Sequence, residues 1–168
     1  MRDRTLAETT SEQALSFFEG WHPAVTEMVG AVRHDVRWGL FVAPPLRRWR
    51  RGRVVLLGDA AHAMLPHHGQ GANATVEDAI TLAELICADG ADLDVALDKY
   101  ELLRKARTRK IQRASWTGNQ ALHVLDGPER ERRNARVAKF PEDFAWVHAF
   151  DALEDARTLH RATSSVIA

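Results

Sequence analysis

Asp59, His62, His67 and His68 fall close together in the chain and run directly into Gly69-Gln70-Gly71 and Asn73. Three chemistries use such groups. A metal site would take the carboxylate and the imidazoles as ligands, but the spacing matches neither H-E-x-x-H nor a cysteine–histidine pattern. Adjacent His67 and His68 also point apart in extended backbone, so no metal is expected. A general base would need a single imidazole, and His62 reads equally well as a side chain held by local hydrogen bonds behind the loop. The third chemistry is recognition. A carboxylate accepts hydrogen bonds from hydroxyls, and paired glycines let backbone N–H groups approach a ligand without a side chain between them. A polyol joined to an electron-rich ring satisfies both halves, and no protein side chain is then assigned a catalytic role.

These groups need elements to position them. Val54 to Leu57 is a short apolar run between Arg53 and Gly58, which predicts a strand buried on both faces. Gly58 ends it, so Asp59 falls at the strand's carboxyl end, the edge where open α/β sheets place ligands. Only the small residues Ala60 and Ala61 follow, which leaves room for a large ligand. A helix is predicted from about Ala72, with Val76, Ala79, Ile80, Ala83 and Ile86 on one apolar face. Glu77 and Asp78 lie near its start, where acidic groups suit the helix dipole. Two phosphate motifs fail. Gly69 to Ala74 matches G-x-G-x-x-A, but a dinucleotide fingerprint turns directly from strand to helix and this strand ends at Leu57. No Lys-Ser/Thr follows Gly71, so a P-loop is excluded.

Arg53-Val54-x-Leu56-x-Gly58-Asp59-Ala60-Ala61-His62, then Pro66, Gly69-Gln70-Gly71, Asn73 and Glu77-Asp78-Ala79, resembles the second flavin-binding motif of the FAD-dependent aromatic hydroxylases. These are the salicylate hydroxylase-like and p-hydroxybenzoate hydroxylase-type monooxygenases. The resemblance implies that Asp59 holds the ribityl chain of FAD. It also implies that the loop of Pro66, Gly69, Gln70, Gly71, Ala72 and Asn73 packs against the flavin ring. NAD(P)H as co-substrate, O₂ and a small aromatic substrate come with it. Trp38 and Leu40, on a strand equivalent to part of the family's pocket wall, and His67 and His68 are the substrate-proximal candidates. Family members often carry an Asp-Arg pair before the proline at 44. Val42 and Ala43 stand there instead, so pocket chemistry does not transfer at those two positions.

The 168 residues are 45% hydrophobic and formally neutral, enough for one sizeable core and without a general attraction to nucleic acid or anionic membrane. Arg47, Arg48, Arg50, Arg51 and Arg53 around Trp49 read as a solvated linker. The single Cys87 reads as a structural thiol within a helix and fits a reducing cytoplasm. No apolar run is long enough to span a bilayer, and the polar start to Thr9 has no export signal. Thr10 and Gln13 predict a capping box, and Gly20 a helix stop. Pro23 restarts the helix, and alternation over Val36 to Val42 predicts a half-buried strand. Asp92 caps a long helix to about Trp116, residues 118–128 form a break with an apolar piece at 122–125, and Glu129 to Arg136 form a charged helix.

The expected fold is a helix-rich α+β fragment. Its strands belong to the substrate sheet and the FAD-binding sheet of a two-domain flavoprotein hydroxylase, the N-terminal dinucleotide-binding half being absent. Residues 1–45 are expected to be a remnant of the substrate-binding region, 46–116 the second half of the FAD-binding domain, and 117–168 a C-terminal helical region. The alternative to a monooxygenase is a non-catalytic remnant, or a complementing half that needs a separate N-terminal FAD-binding polypeptide. A homo-oligomer is a further expectation for partners.

Overall fold

Thr10 starts the first helix as its spacing to Gln13 predicts. Its hydroxyl accepts the Gln13 N–H at 3.2 Å, and Gln13 Oε1 accepts the Thr10 N–H at 3.3 Å. The computed structural model describes residues 6–33, 36–88, 90–122, 124 and 126–164. It divides into two compact units, Met1–Phe41 and Val42–Ala168.

In the first unit, α1 (Ser11–Ser16) and α2 (Pro23–Gly30) are joined through Gly20, whose φ of +76° suits glycine. Strand β1 (Leu6–Glu8) pairs antiparallel with β2 (Val36–Trp38), Leu6 opposite Trp38 and Glu8 opposite Val36. The alternation predicts one buried face as far as Val42. Instead the strand stops at Trp38, and Trp38, Leu40 and Val42 are all exposed, Trp38 at 74%. Two paired strands make one ladder but not a covered layer, so the alternation marks a surface rather than a core.

The second unit opens with a hairpin of β3 (Arg50–Arg51) and β4 (Val54–Val55), antiparallel, turning at Gly52 with φ +57°. This corrects two expectations. Val54 is 69% exposed and its partner is the basic segment before it, so the run to Leu57 is not a strand buried on both faces. The basic segment is not a free linker either. Trp49 lies in the core, its N–H bonded to Glu101, and Arg50 bonds Asp94 at 2.8 Å and Asp98 at 2.7 Å.

A short helix α3 (Asp59–His62) and a 3₁₀ turn at Pro66–His68 lead to α4 (Gly71–Cys87) and α5 (Leu93–Leu122). Asp92 caps α5, accepting the Val95 N–H at 3.0 Å. The helix passes through Gly118, where a break is expected. A Cβ at Gly118 would lie 3.0 Å from His68 Nε2, so that glycine serves a close approach and not a turn. The apolar piece expected at 122–125 falls in part outside the described residues. Helices α6 (Pro128–Val137), α7 (Phe140–Asp143), α8 (Ala145–His148) and α9 (Ala152–Ser164) complete the unit, α6 exposed and charged as predicted.

Helix α4 packs on α5 and α9, and the core gathers Trp49, Ala61, Leu85, Ala96, Tyr100 and Ala156. The buried side of α4 is Ala74, Asp78, Thr81 and Leu85. Its apolar stripe, Val76, Ala79, Ile80, Ala83 and Ile86, is exposed, and Cys87 is exposed with it. The helix therefore carries two stripes, and this chain covers the more polar one. Among the described residues no helix is long and apolar enough to cross a membrane.

Candidate functional site

The segment from Leu56 to Gln70 has little regular structure of its own, and its shape is imposed from α4 and α5. Gly58 has φ +63° and ψ −141°, a conformation open essentially to glycine alone, and a Cβ there would meet Thr75 Oγ1 at 2.9 Å. Its N–H donates to Asp78 Oδ2 at 3.0 Å. The same oxygen lies 2.6 Å from His62 Nε2, and Arg104 Nε donates to Asp78 Oδ1 at 2.7 Å. One carboxylate thus ties both ends of the Gly58–His62 turn to the long helix. Gly58→Ala is expected to lower unfolding stability by about 2 kcal/mol, read as a shift in the urea midpoint.

Further contacts extend this hold along the loop. Tyr100 Oη donates to Leu56 O at 3.1 Å, Gln112 Nε2 to Ala63 O at 3.1 Å, and Ser115 Oγ to Leu65 O at 2.5 Å. His68 Nε2 sits 2.9 Å from Ala114 O while its ring lies 4.5 Å from that of Phe144. Backbone carbonyls of Leu56, Ala63 and Leu65 are therefore bonded by side chains of one face of α5.

Asp78 has no exposed surface, and Arg104 is 1% exposed. Burial disfavours the charged carboxylate, and the hydrogen bonds from His62, Arg104 and the Gly58 N–H outweigh it, leaving Asp78 below the usual carboxylate range. Arg104 also donates to Glu77 Oε2 at 2.7 Å and to Ala74 O at 3.2 Å. Arg107 bonds both oxygens of Glu77 and donates to the carbonyls of Trp146 and Val147. Glu77 and Asp78 are therefore buried or half-buried partners of arginines and not acidic groups complementing the helix dipole, since α4 begins at Gly71. Arg104 and Arg107 are both buried with them.

With the loop held from behind, Asp59, Ala60, Pro66, Gly69, Ala72 and Asn73 are exposed along it. Gly69 has φ +62°, and α4 has no side-chain cap, so its first-turn N–H groups have no side chain bonded to them. Gly71 is half-buried. Gln70 is buried, its amide donating to His68 O at 3.1 Å and accepting from Asn73 at 3.4 Å. His62 takes the bracing place behind the loop. His67 is half-buried, and its Nε2 has no hydrogen-bond partner among the described residues. Trp38 and Leu40 belong to the first unit. No group of three His, Cys, Asp or Glu arranged to hold a metal occurs among the described residues.

Residues 30–115, about half the chain, match a family described as the FAD binding domain. The chain belongs to that FAD-binding family. Among curated relatives of this flavin-binding chain, a 3-amino-4-hydroxybenzoate 2-monooxygenase of Streptomyces platensis is 38% identical over 148 residues, covering 87% of the chain and 37% of the relative. A salicylate hydroxylase of Pseudomonas putida is 35% identical over 158 residues, covering 89% and 36%. A solved salicylate hydroxylase substrate complex superposes with a TM-score of 0.77 at 30% identity, over 92% of this chain and 38% of that one. The chain thus spans little more than a third of the length of these relatives, and its helix-rich fold is that of the corresponding part of a salicylate hydroxylase.

Asp78, Arg104, Tyr100, Gln112 and Ser115 position the loop, and none of them stands out in the sequence as a site residue. The signal is present in the spacing of α5. Tyr100, Arg104, Thr108, Ile111 and Ser115 fall on one helical stripe, which mixes polar groups with core residues because the stripe serves carbonyls as well as side chains.

Proposed function

We propose that Asp59 and the loop of Pro66, Gly69, Gln70, Gly71, Ala72 and Asn73 hold the ribityl chain and ring of FAD in a monooxygenase that hydroxylates a small aromatic substrate. The observation that carries this is the buried Asp78 clamp. It fixes the Gly58–His62 turn, in which Asp59, next to the clamped glycine, stays exposed, to the same helix α4 whose mouth has no side-chain cap. A carboxylate accepts from ribityl hydroxyls, and amides at a helix start offset negative charge on the pyrimidine side of a reduced flavin. The residues present fit the group on those grounds. When bound, the flavin supplies the redox chemistry, taking electrons from NAD(P)H and using O₂ to hydroxylate the ring.

In this reading residues 46–116 form the second half of the FAD-binding domain. Residues 1–45 contribute to the substrate side, where Trp38 and Leu40 line the pocket, and 117–168 form a C-terminal helical region. His67 and His68 lie nearer the substrate than His62 does, with His68 anchoring the loop to α5. The relatives named as acting on hydroxylated benzoates support a small aromatic substrate. Cys87 as a free thiol fits a cytoplasmic setting.

The alternative reading rests on the exposed stripe of α4 alone, where Val76 is 59% exposed and Ile86 43%. Exposed apolar stripes of this kind mark interfaces. Here the stripe would receive a dinucleotide-binding half, and the chain would act as the complementing half. The flavin reading is tested by titrating the purified chain with FAD and following flavin fluorescence. FMN is expected to compete with FAD, and ADP not to, because only the ring and ribityl end is held by these residues. Competition by ADP alone, or no flavin binding, overturns it.

A further inference from the structure

We infer that a second groove, between the segment 42–45 and helix α5, binds a ring-bearing carboxylate. Val42, Pro44 and Pro45 form one apolar wall and Arg109, Arg113 and Trp116 of α5 the other, enclosing about 470 Å³. The two arginines are one turn apart on the helix, so their guanidinium groups project side by side, with the Trp116 indole following on the same face. Neither has an ion-pair partner among the described residues. Arg109 reaches only the Leu46 carbonyl, at 3.5 Å, and the adjacent Val42 and Ala43 bring no carboxylate.

In a formally neutral chain whose other α5 cations are largely committed, this arrangement leaves positive charge concentrated in an apolar groove. Arg104 and Arg107 are bonded to acids, and Lys105 is bonded to Glu101. A guanidinium binds a carboxylate through two parallel hydrogen bonds, and an indole and proline rings pack on a flat ring. A planar aromatic carboxylate satisfies both features. A metal or a neutral apolar molecule satisfies one at most.

The floor of the groove connects it to the flavin motif. Gln112 lines it and donates to Ala63 O at 3.1 Å and Ala43 O at 3.5 Å, and Ala43 N–H bonds the same Ala63 carbonyl at 3.2 Å. An occupant therefore lies against Ala43 and Gln112, both of which bond the carbonyl of the residue that directly follows the Gly58–His62 turn. The site itself is defined by charge and shape and does not depend on the flavin reading.

The test uses benzoate, with benzamide as its uncharged counterpart, titrated calorimetrically into the purified chain without flavin. Saturable benzoate binding is expected, absent for benzamide and weakened roughly tenfold by Arg113→Gln and further by Arg109→Gln. Arg132→Gln, on the exposed helix α6, should leave it unchanged. Both groove arginines are exposed, and circular dichroism checks that the variants keep their helices. Equal binding of benzoate and benzamide, no loss in the double variant, or no saturable binding at all overturns the proposal. A benzoate that binds here yet is not displaced by FMN separates this groove from the flavin site. Displacement by FMN would place benzoate at the flavin loop and overturn it too.

Discussion

Asp78→Ala is expected to cost the fold about 3–5 kcal/mol, a large share of the roughly 5–15 kcal/mol that holds a domain together. The side chain is fully buried and serves three partners at once, so its removal leaves the Gly58 N–H and the His62 ring without an acceptor. It also strips Arg104, itself 1% exposed, of one of its two carboxylates. Breaking a buried pair from one side is costly because the remaining charge stays desolvated. Urea unfolding followed by far-ultraviolet circular dichroism measures the loss. A midpoint within experimental scatter of the wild type would show that the clamp does not hold the turn.

The same carboxylate gives the fold a defined dependence on acid. Its folded value is depressed, so the stability it contributes is complete above the ordinary aspartate value of about 3.9 and is lost as pH falls through the lower folded value. Asp78→Asn keeps the shape and removes the ionisation. The difference in unfolding stability between wild type and Asp78→Asn should be greatest near neutrality and shrink below about pH 4. A difference that stays constant over that range would mean the charge is not what matters.

How much of this is legible without coordinates follows from which signals are local. The capping box at Thr10, the helix start near Gly71, the cap at Asp92 and the glycine loop are each fixed by a few neighbouring residues, and each is found where the sequence puts it. The exposure of Asp59, Gly69, Ala72 and Asn73 fits a surface segment of small and polar residues for the same reason. The buried half is not. Gly58 and Asp78 are 20 residues apart, and Asp78 and Arg104 are 26 apart, so pairing them requires knowing that α4 and α5 lie side by side. Periodicity misleads for α4 because it reports which stripe is apolar and not which stripe this chain covers. Val76, Ile80 and Ile86 are apolar and open, while Asp78 and Thr81 are polar and closed. The hairpin at Arg50 is missed for a related reason. Its first strand is charged, and it is held by Asp94 and Asp98 on Arg50 and by Glu101 on the Trp49 N–H across the unit, not by an apolar pattern.

Asp59→Ala should separate recognition from folding. Asp59 is exposed and accepts no side-chain hydrogen bond from the clamp, so its loss should leave the unfolding midpoint within about 0.5 kcal/mol of the wild type. Its loss to a bound flavin should be far larger. Hydrogen bonds to a charged acceptor are each worth roughly 1.5–3 kcal/mol, so FAD affinity is expected to fall on the order of a hundredfold. Flavin fluorescence titration of the folded variant measures it. The contrast with Asp78→Ala is what makes the test sharp: Asp78 is buried and shapes the turn, whereas Asp59 is exposed and, in the proposed reading, would meet the flavin without shaping the turn. If Asp59→Ala bound FAD as tightly as the wild type while remaining folded, the carboxylate at the start of α3 would not be the ribityl anchor. The uncapped mouth of α4 would then have to account for flavin binding alone.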